Sequence, residues 1–232
     1  MKMYATIAAL ALAFTAGRYE FPASESGPQD PAPAKAPQSD GKQDDKKPPM
    51  PPAGSPMADA MKDPAAAMKR WTDTLKPSAG HQFLHQFLGK WETSMKMTGM
   101  GGGAPATKGT AEYRWLVEGK WLIRESHGSM PGMGKVDSFT IVGFDNYKKK
   151  YVSVHIDSLT TAMLTSEGMI DQTGKNLFLH GPMDEPMSGE HDKPVKYATR
   201  IISADEHVDE VHDLAIGETQ TKVIEVVYKR VK

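Results

Sequence analysis

The sequence predicts an all-β protein: an antiparallel meander of about ten strands closed into a barrel, preceded by one or two short helices. Three observations predict it. Apolar residues switch at Trp91 from three- and four-residue steps to alternation. From there short β-like runs succeed one another to the end of the chain, and the breaks carry turn residues at Glu118-Gly119, Asp145-Asn146, 171–174 and Gly217. Between the runs nothing is long enough to serve as a crossover helix, and short connections make antiparallel neighbours.

Residues 1–17 have a lysine near the start, an apolar run over 4–14 and small residues at the end, the pattern of a secretory signal. A transmembrane anchor needs about 20 apolar residues, and Arg18-Tyr19-Glu20 ends this run too soon. The expectation is export to the periplasm or outside the cell, with no integral membrane span once the signal is cleaved. Residues 18–63 hold most of the chain's prolines among Ala, Ser, Asp and Lys, with no apolar period, and read as a disordered tether. Residues 64–78 open on a proline at a favourable first helical position, and Met68, Trp71 and Leu75 give the short helix one apolar face. Pro77 ends it, and Ser78 can cap a further turn in which Phe83, Leu84, Phe87 and Leu88 face inward.

The barrel domain spans 79–232. Its first strand alternates Trp91, Thr93, Met95 and Met97 with Glu92, Ser94 and Lys96. Further strands are expected at about 110–117, 120–128, 137–145, 150–158, 161–170, 176–181, 194–202, 206–214 and 221–231. Tyr113 and Trp115 share one face of their strand, and Trp121 and Ile123 share one face of the next. Apolar residues on both faces suit a barrel with a lined cavity. A sandwich with a solid core is the alternative left open. The chain has no cysteine, so the core alone must hold it. A net charge of −1 argues against nucleic acid as a partner.

The segment His81–Trp91, together with the ten-strand pattern after it, resembles the bacterial domain-of-unknown-function 1579 family. His81, Leu84, Phe87, Gly89 and Trp91 fit its opening motif, and Gly143-Phe144-Asp145-Asn146 fits its Gly-Tyr-Asp-Asn turn. Asp157, Glu167-Gly168 and Tyr228-Lys229-Arg230 match further positions, over about 79–231, while His155 stands where that family usually has an aromatic residue. The resemblance implies no activity. A looser likeness is to the calycins, the lipocalin and fatty-acid-binding barrels. It implies that Gly89, Trp91 and Arg230 close the barrel base, an arginine plane lying over the indole.

Candidate chemistry is local. His155 and Asp157 lie two apart on a strand and so share a face, and Glu167 on the next strand can join them if the register allows. These three are the ligand-lining candidates; a polar cross-strand ladder is the structural alternative. His81 and His85 sit four apart on a helix without a third ligand, and no metal site is assigned. Met95, Met97 and Met100, with His127, Met130 and Met133, imitate a thioether copper site but read better as adaptable filler. The glycine run 99–103 does not lead from a strand into a helix, so it is no phosphate cradle, and no catalytic triad signature is visible. The favoured function is binding of a small, largely apolar molecule in the barrel, with the cofactor unspecified. A haem barrel using His155 is a subcase. The rivals are an acid–base or metal-assisted enzyme using His155 and Asp157, and a structural module with a filled barrel.

Overall fold

The computed structural model describes residues 51–97, 105–130, 132–185, 188–214 and 222–232. The expected signal, most of the expected tether, the glycine run 99–103 with Met100, and the break at Gly217 lie outside the described residues. The chain divides into two compact units, one ending at Trp71 and one running on from Thr72. The first contains helix α1 (Pro56–Lys62) and most of α2 (Pro64–Leu75). Helix α1 stands where the sequence reading had tether. Ser55 caps it by accepting the Ala58 N–H, and Pro56 takes the first turn, where its missing N–H costs nothing. Among the described residues no helix is long and apolar enough to cross a membrane.

The second unit is a closed barrel of ten antiparallel strands: β1 (Gly89–Met97), β2 (Thr107–Val117), β3 (Trp121–Met130), β4 (Gly134–Asp145), β5 (Lys150–Asp157), β6 (Leu164–Ile170), β7 (Asn176–Glu185), β8 (Glu190–Ser203), β9 (Glu206–Asp213) and β10 (Lys222–Arg230). Each strand pairs with the next in sequence, and β10 returns to β1 to close the ring. Closure leaves no edge strand, and ten strands give a wider interior than eight.

Strands β7 and β8 run past the expected limits of 181 and 194 because they pass through Pro182 and Pro194, which face each other. A strand proline lacks a ladder donor and is tolerated where its missing N–H faces no ladder partner. Here the β6–β7 ladder stops at His180 and the β8–β9 ladder at Val195.

One end of the barrel is plugged. Helix α3 (Ala79–Leu84) and the 3-10 turn His85–Phe87 press Leu84 and Phe87 onto Trp91, Tyr113, Leu122, Tyr151, Leu177, Leu179 and Tyr228. The Tyr151 hydroxyl donates to the Gly80 carbonyl at 2.8 Å, and Trp91 Nε1 donates to Phe87 O at 2.8 Å. Gly80 has no side chain because the Phe144 ring fills that space. His81 caps its own helix by accepting the Ser78 N–H at 2.9 Å.

Candidate functional site

Side chains alternate along β3, so Leu122, Arg124 and Ser126 take one face and Trp121, Ile123 and Glu125 the other. The interior converges on Arg124. Its Nη1 donates to Asp209 Oδ2 at 2.5 Å, to the Tyr228 hydroxyl at 2.9 Å and to the Tyr113 hydroxyl at 3.4 Å. Its Nη2 donates to Thr140 Oγ1 at 2.9 Å. Around the wall, β2, β1 and β10 stand between β3 and β9, so the Arg124–Asp209 pair crosses the lumen.

The network extends from both partners. Thr199 donates to the other Asp209 oxygen at 2.6 Å. Thr140 Oγ1 lies 2.9 Å from His155 Nδ1. Because Thr140 already accepts from Arg124, its hydroxyl hydrogen is free for Nδ1, which leaves the His155 Nε2 hydrogen facing Asp157 Oδ2 at 3.6 Å. Tyr113 reaches His207 Nε2 at 3.1 Å, and His207 stacks on Tyr228 with ring centres 4.3 Å apart. Arg124 Nε, Ser126 Oγ, Tyr197 OH and His207 Nδ1 are buried without a protein partner, so polar demand remains inside.

Burial sets the protonation states. It pushes the Tyr113 and Tyr228 hydroxyls up, so both stay protonated. Burial opposes the Arg124 charge, but Tyr228, Tyr113 and Asp209 outweigh it and the guanidinium is held more firmly charged. Burial, helped by the Arg124 charge, lowers His155 to about 4, and burial lowers His207 to about 4. Both imidazoles are therefore neutral near pH 7.

These shifts predict acid sensitivity. The unfolded chain takes up protons at these histidines near their ordinary value of 6.5, while the folded chain waits until about 4. Stability is full above 6.5 and falls as pH drops toward 4, by about 3 kcal/mol per histidine. Urea unfolding at pH 7 and pH 5 should show the loss, and His155→Phe should reduce it. An equally steep fall in that variant would assign the proton uptake elsewhere.

The lumen is reached by solvent. Arg124 keeps 16% of its side chain exposed, Asp209 22%, His155 29% and Asp157 18%. It is also two-sided. One wall, β3 to β6, presents Arg124, Ser126, Ser138, Thr140, Ser153, His155 and Asp157. The facing wall, β8 to β10 and β1, carries Val195, Val211, Ile224, Val226 and Met95 on its inward register, between the Asp209 layer and a closed Lys193–Asp213 ion pair at 2.8 Å.

His155 and Asp157 are thus both luminal, but Glu167 is not with them. It pairs with Val152, on the opposite face from Ser153 and His155, and binds Lys150 at 2.6 Å and Lys148 at 3.3 Å on the outer surface. The register forbids the three-residue cluster. There Glu167 joins the lining of a groove of about 400 Å³ with Trp121, Val152, Val154, His180 and Pro182.

At the plugged end the Arg230 guanidinium lies 4.1 Å from the centre of the Trp91 ring and donates to the Leu88 and Gln86 carbonyls, each at 2.6 Å. Gly89 has φ of +111°, a conformation suited to glycine, and lies tight against Arg230. His81 and His85 diverge, the first against Phe144 and the second against Trp115. Met95, Met97 and Met130 share the inward register, whereas His127 turns outward to Asp137 at 2.7 Å.

The sequence reading missed Arg124, Asp209, Thr140 and His207. A signal existed: a charged residue on the same alternating face as an apolar or aromatic one, as in Leu122-x-Arg124 and His207-x-Asp209.

A family model described as "Protein of unknown function (DUF1579)" matches residues 76–230. No curated protein matches the chain. Among solved structures, Rv2717c from M. tuberculosis is 13% identical, with 68% of this chain and all of that chain covered and a TM-score of 0.49. EF1p2_mFAP2b bound to DFHBI is 8% identical, covering 66% of this chain and all of its own, at a TM-score of 0.36. A fluorescence-activating β-barrel designed de novo is 9% identical, covering 63% of this chain and 95% of its own, at a TM-score of 0.36.

Proposed function

The chain belongs to the DUF1579 family, whose description assigns no activity, and we propose from the site itself that it binds a small, largely apolar molecule in the barrel lumen. The observation that carries this is the lining of the lumen, with polar side chains at β3 to β6 facing an apolar patch of Val195, Val211, Ile224, Val226 and Met95, beside which the charged groups Lys193, Asp209 and Asp213 are closed in ion pairs. A core that existed only for stability gains little from a charged pair, because desolvation offsets the attraction. A ligand site, by contrast, needs apolar lining and a few placed polar groups. The enzyme alternative is less well supported, since Glu167 is outside and His155 Nδ1 is engaged by Thr140. We further infer that the protein works after export, supported by the signal pattern at its N-terminus.

Native mass spectrometry of the purified protein, together with titration of an apolar fluorescent dye, tests the reading. The expected result is one bound equivalent that Val226→Trp, which fills the lumen from the apolar wall, abolishes. Undiminished dye binding in that variant, at unchanged thermal midpoint, would place the dye elsewhere and remove the lumen as the site.

A further inference from the structure

We propose that the luminal ligand is an amphiphile with a cationic amine head, seated on Asp157, and that a carboxylate-headed molecule is excluded; this rests on the lumen being the binding site proposed above. Among the described residues the inward register carries three full cations, Arg124, Lys193 and Arg230, against three carboxylates, Asp157, Asp209 and Asp213, with Arg230 held at the plugged end over Trp91 and 3.3 Å from Asp205. Four of the six are closed on one another, and Arg230 is taken at the plugged end. Arg124 meets Asp209 at 2.5 Å, and Lys193 meets Asp213 at 2.8 Å.

Asp157 is left over. Its Oδ1 accepts the backbone N–H groups of Leu159 and Thr160 at 2.8 and 2.9 Å, which fixes the side chain in a turn. Its Oδ2 faces His155 Nε2 at 3.6 Å, and that imidazole, neutral near pH 7, supplies no compensating charge. A carboxylate head entering here meets the uncompensated Asp157, while Arg124 already spends Nη1 and Nη2 on four protein groups. Charge interactions of this kind are several-fold stronger in a partly desolvated lumen than in water.

The strand order gives the other end of the ligand its place. β5, which carries Asp157, lies five strands from β10 in either direction around the ring, so the two are diametrically opposite. β10 contributes Ile224 and Val226 on the inward register, with Met95 and Met97 beside them on β1. A head on Asp157 therefore directs an alkyl chain across to side chains that can adapt to it.

The test is calorimetric titration of the full chain with dodecylammonium, dodecanol and dodecanoate, each below its micelle concentration. The expected order is the amine tightest, by at least about tenfold over the carboxylate. Asp157→Asn should erase that preference. Asp209→Asn, where it folds, should free Arg124 and reverse the order toward dodecanoate. Equal or tighter dodecanoate binding by the native protein overturns the amine head and leaves the lumen site standing. A preference that survives Asp157→Asn overturns it too. If none of the three ligands binds, the lumen reading falls and takes this inference with it.

Discussion

Trp91→Ala is expected to destabilise the barrel by about 3–5 kcal/mol. The indole is almost fully buried, donates through Nε1 to Phe87 O, meets His207 edge-on with centres 4.5 Å apart, and lies under Arg230. Its removal leaves a cavity where the plug meets the wall, and rigid strands on all sides limit collapse. Arg230→Ala should cost less, since the guanidinium is partly exposed, although the carbonyls of Gln86, Leu88 and Ala204 lose a donor. Contacting residues couple, so the double variant should fall short of the sum by about 0.5 kcal/mol or more. Urea unfolding of the four proteins measures this. Strict additivity would mean that the stacking contributes nothing and that the two act separately.

Asp209→Ala is the second large effect, again about 3–5 kcal/mol. The variant keeps a guanidinium among Tyr113, Tyr228 and Thr140 with no anion beside it. Deprotonation offers no escape, because arginine stays charged. The apolar double variant Arg124→Met with Asp209→Leu removes both charges and should recover most of the loss. If the single variant is as mild as the double, water screens the pair fully and its place in the lumen is energetically neutral.

Much of this fold was legible beforehand because each strand pairs with its neighbour in sequence, so short-range alternation and turn residues carry almost all of the topology. The limits of β7 and β8 were not legible. Pro182 and Pro194 read locally as strand ends, and only the early end of the β6–β7 and β8–β9 ladders makes room for them. His155 and Asp157 were found because they are two apart on one strand. Arg124 was not, because its partners Asp209 and Tyr228 lie 85 and 104 residues away.

By itself, then, the sequence determined the ten-strand antiparallel meander, the helical entry to it, and the alternation that sorts each strand into two faces. Which face is inside, and what stands opposite it, was decided by closure. Pairing β10 with β1 brings β9 across from β3 and sets β10 opposite β5, while register sends Glu167 outward beside residues that point in. Alternation is a local property of the backbone, whereas the lumen exists only once the ring is complete.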